Sequence, residues 1–202
     1  MITDSSPVRP VLAVDVDGML FPTAARRLPS GFQVHSGPWD NVALHPDHGR
    51  WLRDLSTDFD LVWASMREDE ANQVVAPALG LPDLPVIRFS AAYDTLTTYK
   101  WADVSAYAGR RPLCWLDDEF RADAAGLAAR RAGLGLPTLL LAVDPAVGFT
   151  AGLRDQASAF ARRCAWMQQQ CPSCRGCRRT GWRRRRCVAC GGLGVSWTRR
   201  VA

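Results

Sequence analysis

Two groups of residues in this 202-residue sequence have the types and spacing to do chemistry. The first is Asp15-Val16-Asp17-Gly18, directly behind the apolar run Val11-Leu12-Ala13-Val14. Alternation along a strand sends Asp15 and Asp17 to one side, about 6–7 Å apart. Carboxylates so placed repel each other unless a cation or a shared proton relieves them. Mg²⁺ suits such a pair, because it takes hard oxygen ligands and is usually held by one or two carboxylates together with substrate phosphate. Taken alone, Asp-x-Asp-Gly is equally a strand end followed by a turn, since Asp and Gly both favour turns.

The second group is Cys171-Pro172-Ser173-Cys174 and Cys187-Val188-Ala189-Cys190, two C-x-x-C knuckles with twelve residues between them. Four thiolates in this arrangement suit tetrahedral Zn²⁺. Cys177 is a spare thiol that competes as a ligand. The plainest role for the metal is a structural clip, because so short a segment cannot fold on a core of its own. Between the knuckles run Arg178, Arg179, Thr180, Gly181, Trp182, Arg183, Arg184, Arg185 and Arg186. Arginine forks bind phosphate bidentately, and Trp182 offers a face for stacking on a base. Nucleic acid is therefore a candidate partner. A solvated loop, or a patch meeting an acidic protein surface, is the alternative. Trp197, Arg199 and Arg200 extend the basic character.

The totals agree with two unlike pieces. The composition is globular, 48% hydrophobic and 22% charged, and the length suits one good-sized domain plus a small appendage. The net charge of +5 conceals a split. Residues 1–155 carry 14 Lys and Arg against all 20 acidic residues, whereas residues 156–202 carry 11 Arg and no acid. Five of the seven cysteines lie between Cys171 and Cys190, which reads as metal binding before disulfides. There is no run of about 18 apolar residues for a membrane span. The start, Met1-Ile2-Thr3-Asp4-Ser5-Ser6-Pro7, lacks the regions of a signal peptide, so the expected location is cytoplasmic.

The elements that must position these residues can be read in order. Short, Val-rich Val11–Val16 is a strand buried on both faces. A Pro- and Gly-rich stretch to Pro46 is a flap, with Gly31–His35 as one arm of a short hairpin. A helix starts at His45-Pro46-Asp47, and Asp60–Ser65 is a second strand ending in a hydroxyl. Glu68–Leu79 is a helix closed by Gly80. Pro85–Phe89 is a third strand, Trp101–Ala108 a short helix, and Pro112–Leu116 a strand followed by Asp117-Asp118-Glu119. Glu119–Ala132 is helical, Pro137–Val143 the last strand, and Thr150–Gln169 a long helix. Alternating strands and helices predict a Rossmann-like, doubly wound α/β fold: a parallel sheet with helices on both faces. The expected units are residues 1–150, a connecting helix over 151–170, and a zinc-binding tail over 171–202.

Parallel strands bring their carboxyl ends to one edge, so Asp15, Asp17, Ser65, Asp117 and Asp118 can converge there, with Lys100 from a neighbouring loop. This order of motifs resembles the haloacid dehalogenase superfamily over about residues 10–145. Trp63-Ala64-Ser65, Ala71-Asn72, Leu79-Gly80-Leu81-Pro82 and Trp115-Leu116-Asp117-Asp118-Glu119 are similar to small actinobacterial members of it. The resemblance implies a Mg²⁺-dependent phosphatase. Asp15 would be the nucleophile and would form an aspartyl-phosphate. Asp17 would protonate the leaving oxygen and then activate water. Ser65 would bond a phosphoryl oxygen, and Lys100 would neutralise charge there. Asp117 would hold Mg²⁺ with Asp15 and the Asp17 carbonyl, while Asp118 would act through water or by positioning Lys100. Met19 departs from the family's usual Thr or Val, at a packing position. The knuckles and their following glycines resemble half of a DnaJ-type zinc module. A small flap admits bulky substrates, and together with the tail it points to nucleotides or nucleic-acid ends. The alternative is a catalytically weak domain serving as a nucleic-acid or protein adaptor.

Overall fold

The computed structural model describes residues 8–38, 40–176, 178–181 and 185–197. Cys177, Trp182, Arg183 and Arg184, named above as candidates, lie outside the described residues, as do Arg199 and Arg200.

Four parallel strands form the central sheet, in the order β4-β1-β5-β6. The first is β1 (Val11–Val14). The flap follows as an antiparallel hairpin of β2 (Gln33–Ser36) and β3 (Asn41–Leu44). Helix α1 (Pro46–Leu55) starts where the sequence indicates, with His45 Nδ1 accepting the Asp47 N–H at 3.1 Å. Next is β4 (Asp60–Trp63). A π-helical turn over Ala71–Val75 then runs into α2 (Ala76–Ala78). Gly80, at φ +63°, closes it: the Leu81 and Gly80 N–H groups donate to the Ala76 and Pro77 carbonyls. Then come α3 (Trp101–Ala108), β5 (Leu113–Asp117), α4 (Ala124–Gly133), β6 (Thr138–Ala142) and α5 (Ala151–Met167).

Side-chain alternation divides the core in two. Leu12, Val14, Leu61, Trp63, Cys114 and Leu116 face α1, α5 and the Ala71–Ala78 segment. Val11, Ala13, Val62, Leu113 and Trp115 face α3, through Val104 and Ala108. The central strand β1 is apolar throughout and fully buried because both faces are covered. Ala157 and Ala161 are buried in the first core, so α5 is part of this layer as well as a link to the tail.

Some boundaries differ from the sequence reading, for local reasons. Pro85–Phe89 contributes only a bridge between Val86 and Trp63, with Pro82 and Pro85 limiting the ladder. Residues 119–123 do not join α4, because they anchor the loop before Lys100. There the Asp123 carboxylate accepts from the Thr98 N–H (3.0 Å) and hydroxyl (2.6 Å), and Thr98 Oγ1 accepts the Arg121 N–H (3.1 Å). Helix α5 stops at Met167 because β7 (Gln168–Gln170) pairs antiparallel with β10 (Val195–Trp197). A second small pair joins β8 (Arg179–Thr180) and β9 (Arg185–Arg186). No helix among the described residues is long and apolar enough to cross a membrane.

Candidate active site and four-cysteine cluster

The register Ala13↔Trp115 and Val14↔Leu116 carries Asp15 alongside Asp117, and the Asp15 N–H donates to the Leu116 carbonyl at 3.2 Å. By alternation both follow the residues that face α3, whose first turn is entered from Lys100. The lysine is the only one in the chain. Its Nζ donates to Asp15 Oδ2, and to Asp117 Oδ2 at 2.8 Å. Asp15, Lys100 and Asp117 are 4%, 3% and 1% exposed. The other carboxylate oxygens are held by backbone: Asp15 Oδ1 accepts the Val16 N–H at 2.6 Å and Asp117 Oδ1 the Glu119 N–H at 2.8 Å. The Phe89 ring lies 5.9 Å from Nζ.

Asp118 completes a group of three carboxylates whose oxygens lie within 4.8 Å of one another. Gly18 makes its approach feasible: at φ +69° it adopts a conformation other residues avoid, and a Cβ there would collide with the Asp118 carboxylate. Burial, then the charge of Asp15, pushes Asp117 up to about 7, against the pull of Lys100. The same two causes push Asp118 up to about 6. Burial opposes the charge on Lys100, but Asp15 and Asp117 more than offset it and hold the ammonium well above its usual range. Three carboxylates against one ammonium leave an excess of negative charge. The donor set suits a hard divalent cation, whose opposite ligands stand about 4.2 Å apart at Mg²⁺ bond lengths.

Asp17 does not join this group. Arg67 takes both of its oxygens, Nε to Oδ2 at 2.9 Å and Nη2 to Oδ1 at 2.8 Å. Ser65 is fully buried, and its hydroxyl accepts the Arg67 N–H at 3.4 Å. A cleft of about 660 Å³ opens beside them, lined by Asp17, Pro38, Met66, Arg67, Glu70 and Gln73 among others. Sequence reasoning missed Arg67 and Glu70. The only signal was an arginine two residues past the strand-end serine, which carries no information about its partners.

In the tail, Cys171, Cys174, Cys187 and Cys190 are buried together with their sulfurs within 4.8 Å of one another. Cys171 and Cys187 Sγ are 4.0 Å apart, and Cys174 and Cys190 Sγ 3.7 Å. A tetrahedron with Zn–S bonds of 2.3 Å has edges of about 3.8 Å, so the cluster is compatible with zinc. Burial opposes ionisation of Cys190. Hydrogen bonds from the Gly194 N–H, 3.3 Å from Sγ, and from neighbouring thiols prevail and bring it down to about 7.

The cluster docks far from the carboxylates. Trp197, 3% exposed, lines a cavity of about 470 Å³ with Gly135, Thr138, Leu139, Phe160 and Met167, and the Arg110 side chain lies against Gly191. These contacts fall at the amino end of β6, whereas the carboxylates sit beyond the opposite end. The length of β6 alone separates them by about 13 Å.

Protein-family models, curated proteins and solved structures were compared with the chain, and none of them matches it.

Proposed function

We propose that the chain is a Mg²⁺-dependent phosphatase of the haloacid dehalogenase type, acting through an aspartyl-phosphate on Asp15. The observation that carries this reading is the buried Asp15–Lys100–Asp117 constellation, with Asp118 beside it, at the carboxyl ends of adjacent parallel strands. A scaffold has no use for three clustered carboxylates that must be kept from repelling one another.

In this reading an Asp15 oxygen forms a bond to phosphorus as the bond to the leaving oxygen breaks. Asp17, in its protonated form, gives its proton to that oxygen, and an alcohol departs. Water then attacks the phosphorus, Asp17 takes its proton, and Asp15 leaves as a free carboxylate with inorganic phosphate released. Lys100 offsets charge that gathers on the phosphoryl group. Asp15, Asp117 and Asp118 would hold Mg²⁺, which when bound supplies further charge stabilisation.

The test is phosphate release with and without Mg²⁺ on an aryl phosphate, mononucleotides, and 3′- or 5′-phosphorylated oligonucleotides. Wild type is expected to turn over at least the aryl phosphate only with Mg²⁺, and Asp15→Asn to be inactive yet folded. Equal rates for Asp15→Asn and wild type would remove the nucleophile assignment.

A second reading, the adaptor, is favoured by the docking of the four-cysteine module on the opposite sheet edge, with Arg185 and Arg186 exposed. On either reading the described residues of the module that meet the sheet do so at the end away from the carboxylates. A nucleic acid bound by the basic tail and cleaved at the site would have to pass around the sheet, at least about 13 Å along β6. Replacing Arg183, Arg184, Arg185 and Arg186 is expected to flatten the salt dependence of nucleic-acid binding, by about one unit of slope per lost phosphate contact. An unchanged slope removes the loop from the interface.

A further inference from the structure

We propose that Arg67 is the positioning residue for Asp17, fixing the carboxylate against the hairpin flap so that it meets the leaving oxygen; this rests on the phosphatase reading. Arg67 links three carboxylates from three parts of the chain. Nε and Nη2 take both oxygens of Asp17. Nη1 and Nη2 take both oxygens of Asp40, at 2.7 and 3.1 Å, in the turn between β2 and β3. Nη1 also donates to Glu70 Oε1 at 3.2 Å. A guanidinium has five N–H groups, and these five bonds use them all. Arg67 therefore has no N–H left for a substrate unless it releases a carboxylate, which makes its role indirect.

The site around Arg67 is built for this. The Arg67 side chain is 9% exposed and that of Glu70 4%, while those of Asp17 and Asp40 are 42% and 56% exposed. The buried pair forms the fixed side of the clamp, and the two outer carboxylates are what it holds. Gly37 lets the flap approach, since a Cβ there would meet Glu70 Oε1 at 2.5 Å, and the Gly37 N–H closes the turn on the Asp40 carbonyl at 2.9 Å. One bidentate fork, from Nε and Nη2, fixes Asp17 in orientation as well as in distance, and the other holds Asp40. Lysine cannot do this, because its ammonium is a point donor. When Asp17 takes up the proton for its acid step it gives up one of its two bonds, and the other keeps the carboxyl in place.

Leaving-group chemistry separates positioning from mere structure. A 4-nitrophenolate departs readily without a proton, whereas an alkoxide needs one, so the acid matters chiefly for alkyl phosphates. The experiment measures kcat on 4-nitrophenyl phosphate and on glycerol 2-phosphate for wild type, Arg67→Lys and Asp40→Ala. Arg67→Lys keeps the positive charge among the carboxylates, and Asp40 is exposed enough to be removed without disturbing the fold. The ratio of alkyl to aryl turnover is expected to fall about 10- to 100-fold in Arg67→Lys, and about 3-fold in Asp40→Ala. A common fall on both substrates, or an unchanged ratio in both variants, overturns the assignment. Wild type inactive on both substrates with Mg²⁺ present would instead remove the phosphatase reading, and this assignment with it.

Discussion

Removing the Lys100 ammonium while keeping its apolar stem, in Lys100→Met, tests whether the site is an electrostatic unit. The ammonium is buried between Asp15 and Asp117, which are themselves almost wholly buried. Taking one partner out of a buried ion pair leaves uncompensated charge and costs about 3–5 kcal/mol. For a chain of this size that is roughly 6–20 °C in Tm. The cost has a pH signature. Asp117 titrates at about 7 in the folded chain, above its ordinary 3.8, so the fold binds an extra proton between those values. Stability arising from this group is present at low pH and is lost as pH rises through about 7. In Lys100→Met, with divalent cations chelated, the carboxylates find relief only in protonation, so the variant should be most destabilised at pH 8 and recover much of its stability by pH 5.5. Urea unfolding at the two pH values measures this. A loss of equal size at both would assign the effect to packing of the stem. A loss below about 0.5 kcal/mol would show that the ammonium is not buried between charged carboxylates.

Gly18→Ala should cost about 2 kcal/mol or more, because φ is +69° and the new Cβ collides with Asp118. Titration calorimetry should also find weaker Mg²⁺ binding by this variant; unaltered binding would separate Asp118 from the cation. His48, which is 2% exposed, is held down to about 4 from 6.5, first by burial and then by the charge of His45. The unfolded chain therefore protonates first, and up to about 3 kcal/mol of stability should be lost as pH falls from 6.5 to 4. His48→Gln should flatten that window, and an unchanged pH profile would exclude His48 as its source. A chelator, or Cys190→Ser, should abolish hydrogen-exchange protection in β7 and β10 while the central sheet keeps its own. Retained protection would mean that the tail needs no metal.

The sequence by itself determined the parts governed by near neighbours in the chain. The strand Val11–Val14 and the helix Trp101–Ala108 follow from apolar runs and their punctuation. Gly80 and His45 end and begin helices through bonds to residues a few positions away. The spacing of the knuckles sufficed to expect four thiols around one point, because each C-x-x-C turn brings its own pair together. The order of strand-end residues placed Asp15 and Asp117 on a common edge, since parallel strands admit no other arrangement.

Tertiary structure decided what depends on pairs distant in sequence. Lys100 was assigned by order alone, and only the packing of α3 on the sheet brings its Nζ to Asp15, 85 residues away. Asp17 shares its motif with Asp15, yet it is Arg67, 50 residues on, and Asp40 of the flap that set its surroundings. The tail's position was equally invisible. Its basic charge suggested a companion to the active site, but Trp197 and Gly191 fit the surface near Gly135 and Arg110, at the other end of the strands. Local motifs specify which groups can react with a ligand. Which of them meet is set by side-chain contacts between elements, and those contacts leave no periodic trace in the sequence.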